Sequence, residues 1–287
     1  MVRTFPLGFF GAHPFSPHAG SWWSLEPTIT LGVLLLTGLY LYAVGPLRKR
    51  YHLADRVERS QVVYFLLAML TLFVSLQGPM HELSDYYSLT AHMIQHLLVT
   101  LIMPPLLLKG IPPWLIDPVL RVRAVLPVAR LLTHPFVAFA LFNAIFSLWH
   151  VPAFYQAALG RPAVHGMEHM LFMATAVLTW WPVYSPSRQL PPLSDPLQML
   201  YLFAQSLIPT VLGALIVFAK FVMYPFYAAA PRVIPLSPID DQQVAGLIMW
   251  LGGGSFVLLV LTIRFFRWME DDDESVGVAR TPVKDPA

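Results

Sequence analysis

The chain has 287 residues, of which 56% are hydrophobic and only 12% are charged. A soluble domain carries about 25% charged residues, so this composition excludes an ordinary soluble protein and predicts a polytopic membrane protein. The chain has no cysteine, which excludes disulfides, iron–sulfur clusters and thiolate metal sites. The formal net charge of +2 says little about partners, and no nucleic-acid partner is expected.

Seven segments of the chain are candidates for membrane-spanning helices, each of which needs about 20 mostly apolar residues. We predict an all-α fold with a single seven-helix transmembrane domain over residues 1–268, followed by a disordered cytoplasmic tail over residues 269–287. The predicted spans are residues 28–44, 61–76, 89–108, 135–150, 164–184, 197–219 and 244–266. The N-terminal residues lack the pattern of a cleavable signal peptide.

Basic residues are concentrated in two of the predicted loops. Loops rich in lysine and arginine face the cytoplasm, so we predict that the N-terminus lies outside and the C-terminus inside. The loop after the second span and the loop after the fourth hold only Arg161 between them. The basic residues after the first span are Arg48, Lys49, Arg50, Arg56 and Arg59, and those after the third are Arg121, Arg123 and Arg130.

Two segments, residues 92–96 and 165–169, share the pattern His-x-x-(Gln/Glu)-His. Residues at i, i+3 and i+4 share one face of a helix, so each segment presents two imidazoles and an amide or carboxylate on one side. With the predicted orientation, both segments lie in the outer third of the membrane. Imidazole is the commonest metal ligand, and polar groups inside a membrane are usually functional. We therefore predict a metal site formed by His92, His96, His165 and His169, with Glu168 as a further ligand, a general base or the hydrogen-bond acceptor that fixes an imidazole tautomer.

Four further residues are candidate ligands at the same side of the membrane. His81 and His150 lie at the outer ends of the second and fourth spans, and Asp240 and Asp241 open the seventh. For the two aspartates, capping of the helix is an equal alternative. A weak internal repeat relates the two outer hairpins, and it would place the two histidine motifs opposite each other at the same depth.

A resemblance to a known family is carried by four runs of sequence: HMIQHLLVTLIMPPLLLKG, LWHVPAFYQAAL, HGMEHMLFMATAVLTWWPV and DDQQVAGLIMW. These resemble the integral-membrane CtaG family of cytochrome c oxidase assembly factors, over residues 22–268. The resemblance implies a multi-pass protein of the bacterial plasma membrane, surrounded by lipid, that helps to mature the copper centres of a caa-type oxidase. The implied partners are oxidase subunits and periplasmic or extracellular copper chaperones, and homo-oligomer formation is left open.

The residues leave more than one metal and more than one function open. Nitrogen-rich sites suit Cu(II) or Zn(II), and His-x-x-Glu-His is also the signature of inverted zinc peptidases. The main alternative is therefore a seven-span zinc-dependent membrane hydrolase, although the other segment carries Gln95 where a general base would be needed. Haem ligation by histidines of facing helices is a third alternative. Our leading interpretation is a non-enzymatic assembly factor that binds copper.

Overall fold

The computed structural model describes residues 25–279, with side chains as far as residue 270. Helices make up most of these residues and no strand occurs among them, which confirms the all-α class. In chain order the helices are α1 (Pro27–Tyr51), α2 (Arg59–Leu76), α3 (Gly78–Tyr86), α4 (Leu89–Gly110), α5 (Pro113–Leu120), α6 (Val125–Leu132), α7 (Pro135–His150), α8 (Pro152–Leu159), α9 (Pro162–Tyr184), α10 (Asp195–Phe218), α11 (Pro225–Ala229) and α12 (Pro238–Glu270).

Five of these helices, namely α1, α2, α4, α10 and α12, are long and apolar enough to cross a membrane. A sixth span results if α6 and α7, which meet at a bend of 67°, are counted together. Helix α9 has 23 residues but is not among the five, because its histidines and its glutamate lower its mean hydropathy. The predicted spans therefore all correspond to helices, whereas the number seven and the orientation of the termini stay predictions.

The last helix continues as backbone helix to Ala279, into the predicted tail. Residues 280–287, like the N-terminal residues 1–24, lie outside the described part of the chain. The predicted disorder of the tail therefore stays a prediction.

Helix α4 passes through two consecutive prolines, Pro104 and Pro105, a residue type that usually kinks or ends a helix. A π-helical turn over Leu98–Ile102 precedes them, and the helix then continues to Gly110. Because Pro104 has no N–H, the carbonyl of Thr100 loses its partner within the helix. The indole N–H of Trp180 on α9 donates to that carbonyl at 2.8 Å. A neighbouring helix thus compensates for the proline, as irregular backbone in a membrane requires.

Helices α2 and α4 approach each other closely at Gly110. A Cβ atom at this position would lie 2.6 Å from the backbone nitrogen of Phe65. The Tyr40 hydroxyl donates to the Gly110 carbonyl at 2.8 Å, and the Tyr40 ring stacks on Phe65 with 3.7 Å between ring centroids. Gly110 therefore joins the first three long helices of the chain.

The substitution Gly110→Ala is expected to destabilise the protein, because α2 must move away to admit the methyl group. Overpacking of this kind costs about 1–3 kcal/mol. Gly38→Ala on α1 is the matched control, since a Cβ atom there meets nothing within 4 Å. Thermal unfolding in detergent should show a lower midpoint for Gly110→Ala only, and equal midpoints for the two variants would contradict the packing described here.

Candidate metal centre

Two hairpins of the same construction build the site. The first consists of α2, the short α3 and α4, and the second consists of α7, the short α8 and α9. His92 is the fourth residue of α4, and His165 is the fourth residue of α9. Each hairpin therefore brings its pair of histidines into the bundle at the same distance from a helix N-terminus, in agreement with the weak repeat in the sequence.

The two histidine pairs meet between α4 and α9. The ring centroids of His96 and His169 are 5.5 Å apart, with 14° between the ring planes. His92 lies 6.2 Å from His165 and 6.4 Å from His169 by the same measure. We call these four residues the histidine cluster. Three of them are buried, and His165 is partly exposed.

Two carboxylates divide the cluster into two groups of three potential metal ligands. His92, His96 and Glu168 form one of these, the Glu168 group, and Asp85, His165 and His169 form the other, the Asp85 group. Within each group the ligand atoms all lie within 4.8 Å of one another. The donor set consists entirely of imidazole nitrogens and carboxylate oxygens, which suits Cu(II) or Zn(II).

The Glu168 group is almost completely shielded from solvent. His92 is 0% exposed, His96 3% and Glu168 1%. The Nε2 atoms of His92 and His96 lie 2.5 Å apart, and Glu168 Oε1 lies 3.9 Å from the second of them. Glu168 Oε2 has no hydrogen-bond partner among the described residues. A buried carboxylate oxygen without a partner is unfavourable, so a cation bound at this point would fit these residues.

The Asp85 group is less completely buried than the Glu168 group. Asp85 Oδ2 is 3.3 Å from His165 Nδ1 and 3.3 Å from His81 Nδ1, and the Nε2 atoms of His165 and His169 are 3.0 Å apart. Burial raises the pKa of Asp85 to about 6, while nearby His81 acts in the opposite direction. The sequence interpretation missed Asp85; its only signal is the four-residue spacing from His81, which places both on one face of α3.

Neither group of three contains His81 or His150, although both were candidate ligands. His81 is connected to the Asp85 group through the Asp85 carboxylate. His150 turns its Nδ1 to the carbonyl of Phe146 at 2.7 Å, and its ring packs on the Phe146 ring at 4.3 Å. A metal-binding role for these two histidines stays a prediction.

The two aspartates of α12 are also outside both groups. The buried carboxylate of Asp241 accepts hydrogen bonds from the Ser88 hydroxyl at 2.9 Å and from the backbone N–H groups of Leu89 and Thr90, both at 3.0 Å. Asp241 thus caps the N-terminus of α4, a different helix from its own. Asp240 is exposed and interacts with Ser237, the residue before α12.

Further polar contacts hold α4 and its histidines in position. The Gln95 side chain donates to the carbonyl of Ser75, near the end of α2, at 2.8 Å. The Tyr227 hydroxyl donates to the Ser84 carbonyl on α3 at 2.5 Å, and the Tyr155 hydroxyl donates to that of Tyr227 at 3.2 Å. Gln95, the counterpart of Glu168 in the other motif, therefore joins two helices.

A narrow cavity, with about 50 Å³ of space for water, begins beside His96 and extends along the middle of α10 and α12. Its lining is mostly apolar, with Leu97, Phe146, Trp180, Leu202 and Val257 among the side chains. The polar residues on its wall include Thr100, Thr179 and Gln205. No carboxylate and only one imidazole line it among the described residues; its other potential ligands are neutral groups, including the thioethers of Met93 and Met249.

The fold and the site together define an all-helical protein with five or six candidate membrane spans and a buried cluster of histidines and carboxylates that could hold a metal ion. The family model of the cytochrome c oxidase caa3 assembly factor (Caa3_CtaG) matches residues 38–271. The chain therefore belongs to this family, which confirms the resemblance and connects the protein with assembly of a caa3-type oxidase. Neither a search of curated proteins nor a search of solved structures finds a match.

Proposed function

We propose that the chain binds copper at the histidine cluster and delivers it to a cytochrome c oxidase during assembly. One observation carries the proposal: four imidazoles and two carboxylates, brought by α3, α4 and α9, converge at one end of the bundle. Membership of the caa3 assembly-factor family supports the oxidase as the recipient. Copper is thus the cargo of the site, received from a donor and passed on.

The proposal includes a seven-span topology in the bacterial plasma membrane, with α9 as one of the spans and the N-terminus outside. The basic residues around Arg48 and Arg121 support this orientation. It places the histidine cluster near the outer surface, where periplasmic or extracellular copper chaperones are accessible. The mostly apolar cavity beyond His96 favours delivery on that same side, because an ion crossing it would lose its hydration without meeting a charged ligand among the described residues.

A zinc-dependent hydrolase is less well supported by the geometry. In the inverted zinc-peptidase signature the glutamate acts next to the zinc held by the histidines of its own motif. Here Glu168 is grouped with His92 and His96 of the other motif. A catalytic zinc also needs an open coordination position for water and substrate, whereas this group is almost free of solvent exposure.

The direct test is metal analysis of the full chain, purified without a histidine tag and loaded with a Cu(II) salt. We expect bound copper in the wild type and a large loss in the double variant His96→Ala/His169→Ala, which removes one imidazole from each group. His134→Ala, an exposed residue at the start of α7, is the control and should retain its copper. Stoichiometric zinc that copper cannot replace would favour the hydrolase, and a Soret band would favour haem.

A further inference from the structure

We propose that the histidine cluster holds two metal ions at once, one in the Glu168 group and one in the Asp85 group. This inference rests on the proposed function, because it assigns a stoichiometry and an order of loading to the same site. Each group has its own carboxylate and its own pair of histidines, and no residue is shared between them.

The geometry separates the two groups. Bonds from a transition metal to nitrogen or oxygen are about 2.0–2.2 Å long, so the ligand atoms of one ion lie within about 4.4 Å of each other. Each group meets a limit of 4.8 Å by itself, but the six residues do not form one group at that limit. A single ion therefore cannot bind all six side chains, and it would leave one buried carboxylate without a cation.

The two positions differ in their access to solvent. In the Asp85 group, the side chains of His165 and Asp85 are 13% and 9% exposed, and the adjoining His81 is 14% exposed. In the Glu168 group, the side chains of His96 and Glu168 are 4% and 1% exposed. An ion that arrives from solvent meets the Asp85 group first. We infer that this group takes up the metal and that the Glu168 group retains it.

The short distance between the groups allows an ion to move from the Asp85 group to the Glu168 group without a large rearrangement. His96 and His169 belong to different groups, yet their nearly parallel rings are only 5.5 Å apart. The two ions would therefore sit close together, and paired Cu(II) ions at such a distance interact magnetically. This interaction distinguishes an occupied cluster from copper bound elsewhere on the surface.

The test is copper stoichiometry in the purified full chain after loading with a Cu(II) salt and removal of the excess. We expect two ions per chain in the wild type and one in each of Asp85→Asn and Glu168→Gln. Asp240→Asn replaces an exposed carboxylate outside both groups and should retain two. Loading of the remaining ion should be slower in Asp85→Asn than in Glu168→Gln, because the Asp85 group, which takes up the metal, has lost its carboxylate.

Electron paramagnetic resonance gives an independent result on the wild type, so the inference does not depend on the folding of the variants. Two ions should give a spin-coupled signal, and each single variant should give the signal of isolated Cu(II). One ion per chain in the wild type, or two ions in Asp85→Asn, would overturn the inference while leaving copper binding intact. No bound copper in the wild type would overturn both the inference and the proposed function.

Discussion

Cells that carry the double variant His92→Ala/His96→Ala are expected to lose nearly all caa3 oxidase activity. The two substitutions remove both imidazoles of the Glu168 group, the position at which we place the retained ion. Loss of a residue that only hydrogen-bonds to a metal ligand costs about 10–100-fold in metal affinity. The loss of two ligands should therefore abolish delivery. The measurement is oxidase activity in membranes, together with the copper content of the purified oxidase.

The control for this experiment is the exposed His134→Ala, with the amount of each variant in the membrane measured by immunoblot. Excess copper in the medium should partly restore the oxidase if the defect lies in delivery. Normal oxidase copper in cells that contain the folded double variant would contradict a role for the cluster in assembly.

The two histidine pairs could be located from the sequence because their i,i+4 spacing depends only on helix geometry. Their approach to each other was predicted from the weak repeat that relates the two hairpins, and in the structure both helices begin three residues before the first histidine of the pair. The partner of Glu168 could not be predicted, since it depends on the rotation of α9 against α4. The structure places Glu168 beside His96 of the other motif.

Asp85 and Asp241 show the limits of reading a sequence more clearly. Asp85 lies on a short connecting helix whose position is set by contacts distant in sequence, such as the bond from Tyr227 to Ser84. Asp241 was a candidate ligand because it lies at the correct depth, but it is separated from Ser88 by 153 residues in the chain. Capping of one helix by a carboxylate from another has no local pattern.

The number of membrane spans also differs: the sequence predicts seven, whereas five or six helices of the structure are long and apolar enough to be spans. Helix α9 combines a length of 23 residues with several polar residues that face α4, so a hydropathy criterion does not recognise it. The same polar residues build the candidate site. The polar residues of the candidate site are therefore the ones that keep α9 from having the hydropathy of a membrane span.

Asp241→Ala is expected to destabilise the protein strongly and to reduce its copper content as a consequence. The carboxylate of Asp241 accepts three hydrogen bonds at the N-terminus of α4, where the helix dipole also favours a negative charge. Each buried donor that is left without a partner costs about 1–3 kcal/mol, and this substitution removes the acceptor of three. His92 lies only four residues beyond Ser88, so a displaced helix terminus moves a metal ligand. Thermal unfolding and copper stoichiometry measure the two effects.

Two further variants separate capping from direct ligation. Asp240→Ala removes the neighbouring but exposed carboxylate, and its unfolding midpoint should remain close to that of the wild type. Asp241→Asn keeps an oxygen that can accept hydrogen bonds from α4, so it should recover much of the stability and the copper lost in Asp241→Ala. If Asp241 were itself a ligand, Asp241→Asn would be stable yet deficient in copper. A stable variant that retains copper therefore assigns Asp241 to the positioning of α4, and the metal to the histidines and carboxylates of α3, α4 and α9.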